Sequence, residues 1–259
     1  MRDDSLRRRP VGIGEALGMT AAEIVSRLKE MANPRNVAGM ARFGIATEGT
    51  LGISIYDLRP LARAIGTNHR LAQQLWATGI HEARILAGFI EDPAQVTEAQ
   101  MERWVRDFDS WDVCDQVTEV FTRTPYARRK IRAWARRDEE FVKRAAFAMI
   151  AEVAWHDKAA PDGTFEPFFG LIKQAAGDER NYVKKAVNWA LRNIGKRNAV
   201  LNRRAVAVAQ ELKLRDSRAA RWIASDALRE LTGDAMQERL RSGGRPGSRR
   251  SPSRSTRRA

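Results

Sequence analysis

Apolar residues recur along most of this chain at helical spacing. Over 180–194, Val183, Ala186, Val187, Ala190, Leu191 and Ile194 fall at i, i+3, i+4, i+7, i+8 and i+11, the stripe of a helix with one buried face. Over 139–155 the stripe is Val142, Ala145, Ala146, Met149 and Val153. Strand-like alternation is nearly absent outside the short segment GTLGISIYDL. Glycine, proline and asparagine interrupt the pattern at Asn33-Pro34, Gly66-Thr67-Asn68, Asp92-Pro93, Thr124-Pro125, Pro161-Asp162-Gly163 and Gly177. The stretches between predict helices near 20–31, 34–42, 57–65, 68–77, 80–91, 97–108, 111–122, 126–136, 139–155, 165–175, 180–194, 198–212 and 216–231.

Internal similarity selects the architecture. DEEFVKRAAF (138–147) recurs as DERNYVKKAV (178–187), and WALRNI (189–194) aligns with DALREL (226–231), offsets of 40 and 37 residues. Paired helices at that period are the signature of HEAT-type repeats, which bury a face only by stacking on neighbours. An all-α solenoid of about six helix pairs is expected over residues 16–235, in preference to a helical bundle with accidental similarity. A flexible N-terminus is expected over 1–15 and a disordered tail over 242–259, because SGGRPGSRRSPSRSTRRA has no large apolar residue to offset its ordering entropy.

At about 100° per residue, Lys185, Trp189 and Arg192 fall roughly 180–240° from Val183, off the repeat core. Arg144 takes the equivalent place in the preceding repeat. In the helix after Ser110 the stripe Val113, Val117, Val120 and Phe121 leaves Trp111 and Asp115 together on the opposite face, one turn apart. In the last repeat Arg221 and Trp222 lie outside the stripe Ala220, Ile223, Ala224, Ala227, Leu228 and Leu231. Three tryptophans therefore stand off the cores of their own helices among basic residues, which suits a functional concave face.

Charge narrows what that face would hold. Lys and Arg number 46 against 32 Asp and Glu, a formal charge of +14; six arginines sit in the tail, so +8 remains on the rest. Such an excess favours a polyanion, and side chains at repeat intervals can follow a phosphate backbone while aromatic faces meet sugars or bases. Arg84, Lys143, Arg144, Lys184, Lys185, Arg192, Arg221 and Trp222 are the candidate DNA contacts. No nucleotide-binding glycine loop, helix-turn-helix signature or zinc spacing is present, and the one cysteine, Cys114, excludes an internal disulfide. His69, His81 and His156 read as surface or capping residues, and neither metal nor cofactor is expected. No apolar run approaches a membrane span and MRDDSLRRRP lacks a secretory core, so a cytoplasmic, nucleoid-associated monomer is expected.

The segments NPRNVAGMARFGI, GISIYDLRPLA, GIHEARILAGFI, DSWDVCDQV, FVKRAAF, VKKAVNWALRNIGK and ARWIASDALREL together resemble the DNA alkylation repair family, the HEAT-repeat alkylpurine DNA glycosylases known as AlkD-like, over about residues 20–232. The resemblance implies excision of cationic N3- or N7-alkylated purines from double-stranded DNA without a flipped-base pocket. It assigns the chemistry to Asp115 and Trp111 through the WxxxD element and to Trp189 through KAxxWALR, with Arg144 carried by the preceding repeat. Asn188 departs from the glycine common at that position, and Cys114 lies beside Asp115. Two other readings use the same face: a non-catalytic scaffold for bent or branched DNA, and a protein-interaction solenoid for an acidic partner.

Overall fold

A computed structural model describes residues 18–242. Fourteen α-helices occur among the described residues: α1 Ala21–Glu30, α2 Pro34–Ala41, α3 Ile55–Ile65, α4 His69–Ala77, α5 His81–Ile90, α6 Glu98–Arg106, α7 Trp111–Thr122, α8 Ala127–Trp134, α9 Glu140–His156, α10 Glu166–Ala175, α11 Asn181–Gly195, α12 Ala199–Lys213, α13 Arg218–Leu231 and α14 Asp234–Arg241. One 3-10 turn, Asp162–Thr164, precedes α10. Thirteen of these helices coincide with the stretches read from periodicity. The exception, α14, buries none of its residues, so it has no apolar stripe by which to be recognised. The expected flexible stretch 1–15 and, beyond Ser242, the arginine-rich tail lie outside the described residues.

The order of packing is that of a HEAT-like helical repeat. From α3 onward the odd-numbered helices stack directly on one another, α3 on α5, then α7, α9, α11 and α13, with α9 on α11 the most extensive interface. The even helices α4, α8, α10 and α12 pack against this row from one side, on α5, α9, α11 and α13. Helix starts are set by asparagine, serine and threonine caps: Asn68, Thr97, Asn198 and Ser217 each accept a first-turn backbone N–H, and Thr20 forms a capping box with Glu23.

Aromatic rings fill the joint between the α4–α5 and α8–α9 repeats. Trp76 stacks on Trp104 at 4.1 Å between ring centroids, and Phe121 meets both Trp104 and Trp134 at 6.2 and 6.0 Å. In the middle of the row α9 is enclosed on most sides: every residue from Arg144 to Ala151 is buried. The face opposite its apolar stripe therefore meets neighbouring elements rather than solvent, and this changes what Arg144 can do.

The GTLGISIYDL segment is not a strand. Buried Glu82, on α5, accepts the backbone N–H groups of Leu51, Gly52 and Ile53 at 2.8, 2.7 and 3.1 Å, so one carboxylate satisfies three donors that would otherwise need a pairing strand. Gly52 is required here: its φ is +79° and an added Cβ would collide with the Asn33 carbonyl oxygen. Alternation of Leu51, Ile53 and Ile55 reflects an extended approach to α3, not a ladder.

Candidate nucleic-acid cleft

Trp111 opens α7, and the short connection before it is held from beneath. His81, at the start of α5, shares a 2.8 Å hydrogen bond with Asp112, and the Ser110 hydroxyl donates to the other carboxylate oxygen at 2.6 Å. Burial opposes the charge on the His81 ring, but Asp112, Glu82 and Asp109 outweigh it and raise its pKa. Asp112 is likewise penalised by burial, yet His81 and Ser110 hold it below the usual carboxylate value. The result is a buried ion pair that fixes the first turn of α7. His81 is thus neither the surface nor the capping residue expected of it; with about 4% of its surface exposed, it is part of the core.

With α7 fixed, Asp115 projects from its next turn onto α9. Arg144 Nε and Nη2 donate to the two carboxylate oxygens at 3.0 and 2.7 Å, and Nη1 donates to the Tyr182 carbonyl at 2.7 Å. Burial pushes the Asp115 carboxyl up from its ordinary value against the pull of Arg144, while Asp115 more than restores the charge that burial would take from the guanidinium. Two-point acceptance identifies the carboxylate form, and it is the geometry that gives such a pair its orientation. Arg144 is only 5% exposed. In this arrangement Arg144 acts as a clamp on Asp115 and the Tyr182 carbonyl, which engage three of its five N–H donors.

Trp111, Asp115, Arg144, Lys185 and Trp189 line one cleft of about 300 Å³, together with Phe43 and Tyr182, which the sequence had not singled out. Phe43 comes from the α2–α3 connection and Tyr182 from the first turn of α11. Trp111 Nε1 donates to the Phe43 carbonyl at 3.0 Å and the Tyr182 hydroxyl to the Gly44 carbonyl at 2.9 Å, so adjacent peptide groups bridge α7 and α11 across the mouth. Gly44 permits this with a φ of +70°, and an added Cβ would strike the Tyr182 hydroxyl. Phe43 is 74% exposed at the rim. The ring of Tyr182 is braced by Phe141 at 5.5 Å, and Arg144 lies 6.0 Å from the Trp111 ring centroid. No periodicity announces Phe43 or Gly44, since neither is in a helix.

The other basic candidates separate by their partners. Lys185 is exposed at the cleft with no carboxylate paired to it among the described residues. Lys184 lies 5.4 Å over the Trp222 ring, one repeat further on and outside the cleft. Lys143 meets Asp178 at 3.3 Å; Arg192 is held by Asp226 at 2.7 Å and by Glu230. Arg84 lies over Trp76 and donates to the Asp107 carbonyl, while Arg221 meets Asp216 at 3.3 Å. Cys114 and Asn188 leave the cleft clear. The Cys114 thiol is buried, which with Asp115 pushes its pKa well up, and Asn188 turns to Asp226 with a 2.7 Å hydrogen bond.

Glu152, two turns beyond Arg144 on α9, is a carboxyl that the sequence did not mark. Burial, reinforced by Glu119 and Asp115, raises its pKa to about 7, and His156 faces it at 3.0 Å. Among the described residues no group of acidic, histidine and cysteine side chains could hold a metal ion, and no helix is long and apolar enough to cross a membrane.

Trp111, Asp115 and Trp189 thus share one cleft on a row of stacked helix pairs, and the class that the fold defines is that of the HEAT-like helical-repeat proteins. The chain belongs to the DNA alkylation repair family: the model described as DNA alkylation repair enzyme matches residues 24–231. Among solved structures, a member of "a new family of proteins related to the HEAT-like repeat DNA glycosylases with affinity for branched DNA structures" has the same fold, with a TM-score of 0.69 at 20% identity over 87% of this chain and 95% of that one. A designed armadillo repeat protein in complex with a (KR)4 peptide gives a TM-score of 0.33 at 15% identity, over 73% of this chain and 80% of that one. No curated protein matches the sequence.

Proposed function

We propose that the protein is an alkylpurine DNA glycosylase, releasing N3- or N7-alkylated purines from double-stranded DNA by hydrolysis of the N-glycosidic bond. The observation that carries this reading is the Asp115 carboxylate, oriented through both oxygens by Arg144 in a cleft shared with Trp111 and Trp189. Alkylation makes the purine cationic and a good leaving group. When the bond breaks, its electron pair goes to the purine and positive charge develops on the deoxyribose. A fixed carboxylate beside the sugar stabilises that charge without having to reorganise. Arg144 takes one acceptor position on each oxygen, and the remaining lone pairs can orient the water that adds to C1′ and receive its proton. The tryptophan faces add cation–π attraction of about 0.5–2 kcal/mol each. Lys185 at the rim, and Lys184 beside Trp222, supply contacts to phosphates.

A second reading is a scaffold for branched DNA, the affinity described for the protein of similar fold. The Asp115–Arg144 ion pair favours it, since a carboxylate whose charge is partly offset offers less to a sugar cation. One experiment separates the two: purified wild type and Asp115→Asn are incubated with duplexes carrying N7-methylguanine or N3-methyladenine, and free base and bound duplex are both measured. The glycosylase reading expects base release by the wild type, a loss of roughly 10²–10³-fold in Asp115→Asn, as for removal of one preorganised electrostatic group, and duplex affinity within about twofold. Absence of release from a folded, DNA-bound wild type would transfer the cleft to the scaffold reading.

A further inference from the structure

At the other ends of the same helices lies a second cavity, of about 490 Å³, that the glycosylase reading does not use. Trp155 follows Arg144 by eleven residues on α9, and Lys196 follows Lys185 by eleven at the end of α11. Each is three turns on and returns to the same helical face, roughly 16 Å further along. The cavity's walls are Trp155, Lys158, Lys196, Arg197 and Arg239, with Asp162 as the acid at its edge.

Its charge is less compensated than that of the cleft. Lys196 is paired with Glu230, and Asp162 is engaged by the Asn198 amide at 2.8 Å. Arg197 donates to the carbonyls of Ala154, Asp157 and Ala160, and Arg239 to the Lys196 carbonyl, so both are held in place by backbone, not by carboxylates. Lys158 has no ion pair among the described residues; its ammonium lies 4.8 Å from the centroid of the Trp155 ring. Partial burial and the nearby Arg197 and Arg239 lower the Lys158 pKa, while the carboxylates Asp157 and Asp162 act on Arg197. Asn198 also starts α12, fifteen residues long, so backbone N–H groups at its first turn add positive potential to the wall. Trp155 is 50% exposed, an unusual state for a tryptophan that does not cover core.

We propose that this cavity is a second nucleic-acid site, which takes a phosphate of an unpaired strand between Lys158 and Arg239 with the adjoining base against Trp155. Lys158 and Arg239 have no carboxylate partner among the described residues, and the Trp155 indole, with Lys158 over its ring but half its surface still exposed, has room for a flat partner once Lys158 turns to a phosphate. A base within a duplex has both faces covered by its neighbours, whereas an unpaired base can stack on an aromatic side chain. The proposal rests on the DNA-binding reading above but not on base release: it deepens that reading by adding a station for single strand on the face that carries the cleft.

The test uses the full chain and a 5′-phosphorylated hexathymidylate labelled at its 3′ end, followed by fluorescence anisotropy. Trp155→Ala is expected to weaken binding roughly 5- to 150-fold, the range that one base–aromatic stack gives, and Trp155→Phe to retain most of it. Lys158→Gln is expected to weaken binding several-fold, by a factor that shrinks as salt rises. Tyr56→Ala, which removes an exposed aromatic ring that lines neither the cleft nor the cavity, is expected to leave hexathymidylate binding within about twofold of wild type. The proposal is overturned if the wild type does not bind the probe, if Trp155→Ala and Lys158→Gln bind as wild type does, or if Tyr56→Ala loses binding as fully as they do. A protein that fails to release alkylated bases from duplex yet shows this pattern loses the glycosylase reading and keeps the second site.

Discussion

The cleft and the cavity three turns away are built on the same helices from similar residue types, yet their charges are disposed oppositely. In the cleft Arg144 closes on Asp115 and leaves one cation, Lys185, free at the rim. In the cavity Lys158 lies over the Trp155 ring and Arg239 is held by a backbone carbonyl, with no carboxylate paired to either among the described residues. On the proposed reading the cleft positions one carboxylate for a developing positive charge, and the cavity takes a negative one. What a basic residue does is therefore set by what already occupies its donors, not by its place on a helical wheel.

The strongest way to break this contrast is to remove the clamp. Arg144→Met leaves Asp115 buried without its partner, and breaking a buried pair in this manner costs about 3–5 kcal/mol, to be read as a fall in the denaturant midpoint. If the variant is as stable as wild type, Arg144 is not the clamp described here.

A second, smaller effect belongs to Glu152. Its folded-state pKa, raised to about 7 by burial, Glu119 and Asp115, lies above the ordinary value of 4.5, so the folded protein keeps a proton that the unfolded chain releases. Stability should therefore fall as pH rises from about 4.5 through about 7. Glu152→Gln carries no such titration, and its advantage over wild type should be small near pH 4.5 and largest above pH 7. Denaturation midpoints of both proteins across that range check the sign; an advantage that shrinks as pH rises would contradict it.

Smallest is the division among the basic residues. Lys185→Gln should weaken duplex binding several-fold and reduce the dependence of log K on log salt by about one ion, whereas Arg84→Gln, whose guanidinium is taken by Trp76 and the Asp107 carbonyl, should change neither. Equal effects from both would mean that internal partners are given up when DNA binds.

These contrasts also mark where the sequence stopped being legible. The stripe of α11 reports directly which residues face its neighbours, and Trp111, Asp115, Lys185 and Trp189 are found together in the cleft that their wheel positions implied. The same reasoning sent Arg144 to the outer face correctly but could not show that α9 is surrounded, because enclosure is a property of the stacked row. His81 and Asp112 are 31 residues apart and their pairing depends on how α5 and α7 lie together, which no local pattern encodes. Phe43 and Gly44 reach the cleft through backbone carbonyls, and a carbonyl is common to every residue. The Lys158 cavity went unread because its walls come from the ends of α9, α11 and α14 and the start of α12, each with only a few residues to show.

The account turns on Arg144 acting through Asp115, and a double-mutant cycle on single-turnover release of N7-methylguanine tests it most directly. The measured rates are those of wild type, Asp115→Asn, Arg144→Lys and the double variant, each with saturating protein and confirmed duplex binding. The account predicts that adding Arg144→Lys to Asp115→Asn costs almost nothing further, because the clamp has no carboxylate left to orient. Losses that multiply, or an Arg144→Lys variant that loses duplex affinity in place of rate, would show instead that Arg144 meets the DNA itself.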